Sequence, residues 1–373
     1  MPVATSFDLV GCHAAELRRA LEKSLKDLGG KIGGGIVFVC GSMSKELDET
    51  ADLIRGMALS APIIISAGAA VMTERGTHEH VSACAGMLWQ KGHSVPFAMD
   101  IEAPNPITGR VAEVAKEAMS RSGPSAVIAV RELGTNPGVF DQMVGAPVFG
   151  GAVLEKSAAS LVHEGKTISA DILGLSMHGV GSAIVRVSPG CQILGTPEPV
   201  SAIDDNLMLT IRGTPALDVL RNQASSVVGQ RPVLVAVDIG HDSRGHDRIM
   251  LRGIRGIHET RKGVVVSEPI KAGTKVAFAA LDGNASTTNL ETILREMNRD
   301  MHGGMPRFGF YIDCAGRGPQ LYGEPDVDAR ILRKAFPGLP MLGLSTAFEI
   351  GPGPIGAAVH LFSGVFCLVY APS

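Results

Sequence analysis

At 373 residues the chain is longer than a single core usually supports, so two domains or two joined halves are expected. Hydrophobic residues make up 45% and charged residues 19%, a composition that suits a packed protein and excludes a disordered one. The net charge of −3, with no basic stripe, argues against a nucleic-acid partner.

The first residues lack a basic segment followed by an apolar run, so no secretory leader is expected. Residues 13–28 read as a helix, with Leu17, Leu21, Leu25 and Leu28 on one face and Gly29 as its stop. "GIVFVC" (35–40) reads as a buried strand. Ser44 is a candidate cap for a helix that places Leu47, Ala51, Ile54 and Ala58 on one side, and Pro62 then introduces the strand "IIIS". The same order recurs three times. "AVIAV" (126–130) leads to a short helix near 138–144 and then "APVFGGAV". "KVAFAAL" (275–281) leads to a helix with Leu290, Ile293, Leu294, Met297 and Met301 on one face, where Thr288 and Glu291 are spaced as a capping box. "FGFYIDC" (308–314) leads through "AGRG" to a helix with Pro325 in its first turn, and then to "LPMLGLS". Cys40 and Cys314 occupy the same place in two of these copies.

Between the copies, "KTISADILGLSMHG", "GSAIVRVS" and "DDNLMLTIRG" have the glycine-bounded patterns of antiparallel strands. Thr214 and Pro215 are placed to cap a short helix ending near Asn222, and "NQASSVVGQR" (222–231) is the candidate junction before the strand "PVLVAVDI". The most apolar stretch, 353–371, is broken by His360 and Ser363 and reads as two buried strands rather than a membrane span. The expected fold is α/β, with mixed sheets built from repeated strand-helix-strand units. Two pseudo-related halves are packed as helix-covered sheets.

Six cysteines stand far apart with no CxxC pair, which fits reduced thiols in a cytoplasmic protein better than a disulfide framework or a zinc site. "HDSRGHD" (241–247) has no metal-ligand spacing of known use, so no metal and no cofactor are expected. "GPGPIG" (351–356) spells a dinucleotide fingerprint but carries prolines and precedes a strand. "GKT" (165–167) lacks its upstream glycine, and Ser42 with Lys45 lacks the companion elements of a serine–lysine acyl enzyme.

The stretch "CAGRG" (314–318) carries more chemistry. Small residues after a strand let successive backbone N–H groups converge on an anion, and Arg317 can add a bidentate grip on a carboxylate or phosphate. The alternative is a glycine-permitted turn with Arg317 paired to an acid such as Glu324. Cys314 is either a nucleophile, with His360 or His302 as base, or a small buried residue at a strand end. Its recurrence as Cys40 favours the second. Glu349, between Phe348 and Ile350, either receives a ligand's ammonium or satisfies backbone donors. Ser345 and Thr346 offer hydroxyls nearby or make local turn bonds.

"CAGRG", "LYGEPD", "FPGLP", "MLGLSTAFEIGP" and "VHLFSGVFCLVY" together resemble the C-terminal region of the FIST family. "GAPVFGGA" and "CQILGTPEPVSAIDDNLMLTIRGTPALDVL" are similar to its N-terminal region. The likeness divides the chain into an N-terminal helix (1–30), a FIST N-like region (31–228) and a FIST C-like region (229–373). It implies a cytoplasmic sensory protein that binds a small molecule, an amino acid or a small carboxylate. A downstream protein partner is implied too, and no membrane or catalytic residue. The implied ligand-binding set is Cys314, Gly316, Arg317, Gly318, Ser345, Thr346 and Glu349, with Gly150 and Gly151 as a further wall. Phe348 stands where many relatives carry glycine, so a narrowed pocket beside Glu349 is expected. The rival readings are a Cys314-dependent hydrolase or acyl transferase, and a protein-interaction scaffold of the kind found among F-box relatives.

Overall fold

The computed structural model describes residues 2–99, 124–129, 147–154, 158–227, 229–241, 247–354 and 356–373. The chain opens with β1 (Ala4–Val10) and α1 (Ala14–Asp27). Leu17, Leu21 and Leu28 are fully buried, and Gly29 ends the helix at φ +75°, a conformation that strains any residue with a Cβ. Then come β2 (Gly34–Cys40), α2 (Leu47–Gly56), β3 (Ile63–Ala67), the hairpin β4 (Ala70–Thr73) and β5 (Gly76–Glu79), and β6 (Ala83–Trp89).

A second stretch supplies β7 (His93–Met99), β8 (Ser125–Ala129), β9 (Val148–Ala152), β10 (Ala159–His163), β11 (Lys166–Ile168) and β12 (Ile172–His178). The third begins with β13 (Ser182–Pro189) and β14 (Cys191–Ile193). It continues through β15 (Glu198–Asp204), β16 (Leu207–Ile211), β17 (Thr214–Pro215), α3 (Ala216–Gln223), β18 (Val233–His241), β19 (Asp247–His258), β20 (Gly263–Val266) and β21 (Lys275–Leu281). After α4 (Gly283–Asp300) come β22 (Met305–Cys314), α5 (Pro319–Tyr322), α6 (Val327–Ala335) and β23 (Met341–Thr346), then β24 (Glu349–Pro352), β25 (Ala357–His360) and β26 (Ser363–Ala371).

Pairing turns this list into three sheets of one design. Their orders are β1-β6-β2-β3-β10-β11, β7-β12-β8-β9-β24-β25 and β13-β26-β22-β23-β4-β5. In each, the third and fourth strands are parallel and every other neighbour is antiparallel. The last two strands of each sheet are a hairpin donated by another stretch of chain. The first stretch gives β4–β5 to the third sheet, the second gives β10–β11 to the first, and the third gives β24–β25 to the second. The topology therefore displays three like sheets where the sequence reading expects two halves. Aromatic residues from all three meet in one core: Trp89 lies 6.1 Å from both Phe308 and Phe310, and Phe149 stacks 4.8 Å from Phe310.

The remaining strands form a ring. β21 pairs β15, and the order runs on through β16, β20, β19 and β18 back to β21. Closure removes the sheet edges, and Val200, Met208, Ile211, Val235, Val264 and Phe278 fill the interior. The expected junction at 222–231 falls within this ring, since β15 and β16 precede it and their partners β20 and β21 follow it.

Several local expectations change. Ser44 does not cap a helix but sits inside a 3-10 turn, Gly41–Glu46, that runs into α2, and Ala58 lies beyond the helix, exposed at φ +50°. Asp282, not Thr288, caps α4, accepting from the Ala285 N–H at 2.7 Å, and Thr288 bonds the Asn284 carbonyl inside the helix. A carboxylate directly after β21 caps the first turn before Thr288 is reached. Thr214 and Pro215 pair with β16 rather than offering a side-chain cap. Pro325 lies just ahead of α6, whose flanking residue is Asp326. The expected helix near 138–144 lies outside the described residues, as does 242–246 of the histidine-bearing loop. Residues 353–371 contain the two expected strands, β25 and β26. Among the described residues no helix is long and apolar enough to cross a membrane, and no group of three His, Cys, Asp or Glu side chains could hold a metal ion.

Candidate ligand site

The parallel pair β22–β23 ends side by side, with Asp313 opposite Ser345 and Cys314 opposite Thr346. The chain then turns, the Arg317 N–H donating to the Cys314 carbonyl at 2.8 Å and the Ala315 N–H to the Thr346 carbonyl at 2.9 Å. This turn sends the Arg317 side chain inward, where it is 1% exposed. Its Nε and Nη2 donate to the two oxygens of Asp328 at 2.9 and 3.3 Å, and Nη1 donates to the Ser188 carbonyl at 3.2 Å. Asp328 also accepts from the hydroxyls of Tyr311 at 2.8 Å and Tyr322 at 2.7 Å, and Tyr322 shares a 2.8 Å bond with Ser286. Burial pushes both tyrosines well above their ordinary range, so they stay neutral donors. Arg317 thus pairs with an acid, as the second sequence reading has it. The acid is Asp328; Glu324 instead bonds Arg330 at 2.5 Å.

Above this network lies a small cleft of about 90 Å³. Its walls come from the ends of β22 and β23 (Asp313, Ala315, Ser345), the turn (Arg317, Gly318), the β3–β4 link (Ala69, Ala70), the β5 hairpin (Thr77, Glu79, His80) and the start of α6 (Asp326, Asp328). The hairpin donated by the first stretch therefore completes a site built by the third. Gly318 faces the Glu79 carboxylate, where a Cβ would stand 2.9 Å from Oε2 and push that side chain aside. Asp326 Oδ1 accepts from the Thr77 N–H at 2.5 Å and ties the hairpin to α6.

Asp313 is the chemically distinctive member, and sequence reasoning missed it. Partly buried, it accepts from the Ser345 hydroxyl at 2.6 Å. Burial, with Asp328 nearby, pushes its carboxyl up to about 7, against the opposing hydrogen bond from Ser345. At the corresponding step of the first sheet, Val39 lies opposite Ala67, one residue before Cys40. An acid at that step in "FYIDC", where "IVFVC" has valine, is the signal that was available.

Of the sequence-derived set, Arg317, Gly318 and Ser345 line the cleft, and the others do not. Gly150 and Gly151 form no wall; they lie inside β9, opposite Ile350 and Glu349. A Cβ on Gly151 would meet Thr346 and Ile312 at 2.6–2.9 Å, and one on Gly150 would overlap the Val127 carbonyl. Thr346 bonds the carbonyls of Asp313 at 3.2 Å and Phe348 at 3.0 Å, the local turn role. Glu349 is fully buried. One of its oxygens accepts from the Ser363 N–H at 2.9 Å, and the other has no partner. Burial first, and then the neighbouring Asp313, raise its carboxyl well above the usual range, so it holds a proton. Phe348 is partly exposed and does not close the cleft; its carbonyl accepts from the Ala152 N–H. Gly316 packs beside Cys314 and Phe362. Burial, and then Glu349, push the Cys314 thiol up to about 12, which keeps it protonated near neutrality. His360, one candidate base, faces the Pro352 carbonyl at 3.1 Å, and burial lowers it to about 4.

Residues 216–352 match the FIST C domain. The chain is 26% identical over 234 residues to an uncharacterized protein of Mycobacterium tuberculosis, across 61% of this chain and 60% of that one. It is 24% identical over the same length to an uncharacterized protein of Mycobacterium bovis, with the same two shares. The matched region thus spans about three-fifths of these relatives. The domain match begins at α3, takes in most of the closed ring and the whole of β22–β23, and ends with β24. Over residues 216–352 the chain thus carries a FIST C domain match, which supports the resemblance read from the sequence.

Proposed function

We propose that this protein is a small-ligand-binding sensory protein, acting in the cytoplasm, and that its ligand sits in the cleft at the ends of β22 and β23. The observation that carries the reading is the Asp313–Ser345 pair, a polar couple facing a cleft at a step where the first sheet has Val39 and Ala67. Strand ends beside a glycine turn are where α/β sheets place ligands. The sensory role follows from the FIST C domain, and the six free cysteines suit a reducing compartment.

The charge of the cleft narrows the ligand. Arg317 is neutralised by Asp328, and Glu79, Asp313 and Asp326 add three further carboxyl groups to the wall, with His80 Nε2 3.9 Å from Glu79. An ammonium group fits this wall and a lone carboxylate does not, so the ligand is a small amine or an amino acid bound through its amino end. Asp313 accepts from the ammonium while Ser345 holds the carboxylate in place. A thermal-shift panel of amino acids, simple amines and simple carboxylates tests this. Stabilisation by an amine or amino acid that disappears in Asp313→Asn supports the reading; stabilisation by carboxylates alone, or by nothing, removes it.

A further inference from the structure

We propose that Cys12 and Cys84, remote in sequence from the β22–β23 cleft, form an oxidation site: a dithiol that reacts with a hydroperoxide and closes to a disulfide. The topology brings the two together. β1 pairs antiparallel with β6, placing Leu9 opposite Cys84. The chain leaves β1 at Val10 and reverses at Gly11, whose φ is +63° and whose N–H is pinned to the Ser82 carbonyl at 2.7 Å. The reversal returns Cys12 over Leu9 and sets its sulfur 3.4 Å from that of Cys84, both side chains buried.

The neighbouring thiol has other commitments. Cys40, at the end of β2 on the far side of β6, points its sulfur at the carbonyls of His78 and Val81, each at 3.4 Å. Cys12 is the member of the pair a small oxidant reaches first. It lies in a turn between the exposed residues Gly11 and His13, whereas Cys84 is held in a central strand with strands on both sides. The hydrogen bond with Cys84 brings the Cys12 thiol down to about 7 from an ordinary 9.0, against the effect of burial, so much of it is thiolate near neutrality. The same contact, with burial, drives Cys84 upward.

The chemistry balances as follows. The Cys12 thiolate attacks one oxygen of the hydroperoxide; an S–O bond forms, the O–O bond breaks, and the departing oxygen takes a proton to leave as water or an alcohol. Cys12 is then a sulfenic acid. The Cys84 sulfur attacks the Cys12 sulfur, an S–S bond forms, the S–O bond breaks, and the hydroxyl leaves as water with the Cys84 proton. Two thiols are oxidised by two electrons and one hydroperoxide is reduced. Closing the gap requires the sulfurs to approach by roughly 1.4 Å, a movement the Gly11–His13 turn supplies more readily than the strand.

The test is peptide mapping of the full chain after limiting hydrogen peroxide at neutral pH, with free thiols alkylated before digestion and no reductant. The expected result is a peptide pair joined through Cys12 and Cys84, released by reductant, with the other four cysteines alkylated. Cys84→Ser, which removes the resolving thiol, leaves a sulfenic acid at Cys12 that dimedone traps. Cys40→Ser still forms the Cys12–Cys84 link. Alkylation of all six cysteines at peroxide levels that oxidise exposed thiols, or first reaction at Cys40 or Cys314, overturns the proposal. The mapping of the wild-type protein decides even where a variant fails to fold.

Discussion

Ser345 donates its hydroxyl to Asp313 at 2.6 Å across the ends of two parallel strands. The Asp313 carboxyl moves from 3.8 to about 7 on folding, so the folded chain prefers its proton. Its contribution to stability is therefore full below pH 3.8 and is lost as the pH rises through 7. Asn at this position copies the protonated form. Asp313→Asn is expected to gain on the wild type steadily between about pH 4 and pH 7 and then to level, measured as the difference between their urea midpoints at each pH. A difference that does not vary with pH contradicts the assignment.

Arg317 and Asp328 form a buried pair with four donors converging on one carboxylate. Removing one partner strands a charge in the interior, so Arg317→Met or Asp328→Leu should each cost about 3–5 kcal/mol. Arg317→Met combined with Asp328→Leu should recover much of that loss. Equilibrium denaturation of the two singles and the double checks it, and strictly additive losses are the outcome against it.

Glu349 keeps its proton, so an amide is its close substitute. Glu349→Gln retains an acceptor for the Ser363 N–H and should change stability at pH 7 by no more than about 1 kcal/mol, whereas Glu349→Ala leaves that donor unmet and costs about 1–3 kcal/mol. Denaturation midpoints at pH 7 distinguish this from an ionised Glu349, for which the amide would be the costly change.

Cys314 is a packing residue at the strand end. With its thiol pushed up to about 12, alkylation by iodoacetamide at pH 7 should lag far behind that of Cys12, and Cys314→Ala should leave ligand affinity within about threefold. Mass spectrometry of timed digests follows the first, and calorimetry the second.

Part of the strands and helices was legible, because apolar runs between glycines and prolines mark buried strands directly, whereas β1, β4–β7 and β19–β20 stand outside the sequence reading. β2, β3, β22 and β23 each follow from composition alone. Their assembly was not. Nothing local in "AVMTERGTHE" says that β4–β5 crosses to a sheet whose other strands begin more than a hundred residues later. A two-residue capping signal such as Thr288–Glu291 also loses to an aspartate nearer the preceding strand. The site was half legible. "CAGRG" marked the right turn, but an arginine's partner depends on tertiary contact, and Asp328, eleven residues on, was reached only through the fold. Asp313 stands in a strand whose alternation marks Phe308, Phe310 and Ile312 as packing residues, and that pattern says nothing of the acid that follows them.

The most direct measurement is the affinity of the best amine or amino acid from the panel, determined by calorimetry between pH 5.5 and 8.5 on the wild type and on Asp313→Asn. The account predicts wild-type binding that strengthens roughly tenfold per unit as the pH rises toward about 7 and then levels, with the variant weak throughout. Equal affinity in both proteins, flat across that range, would contradict it.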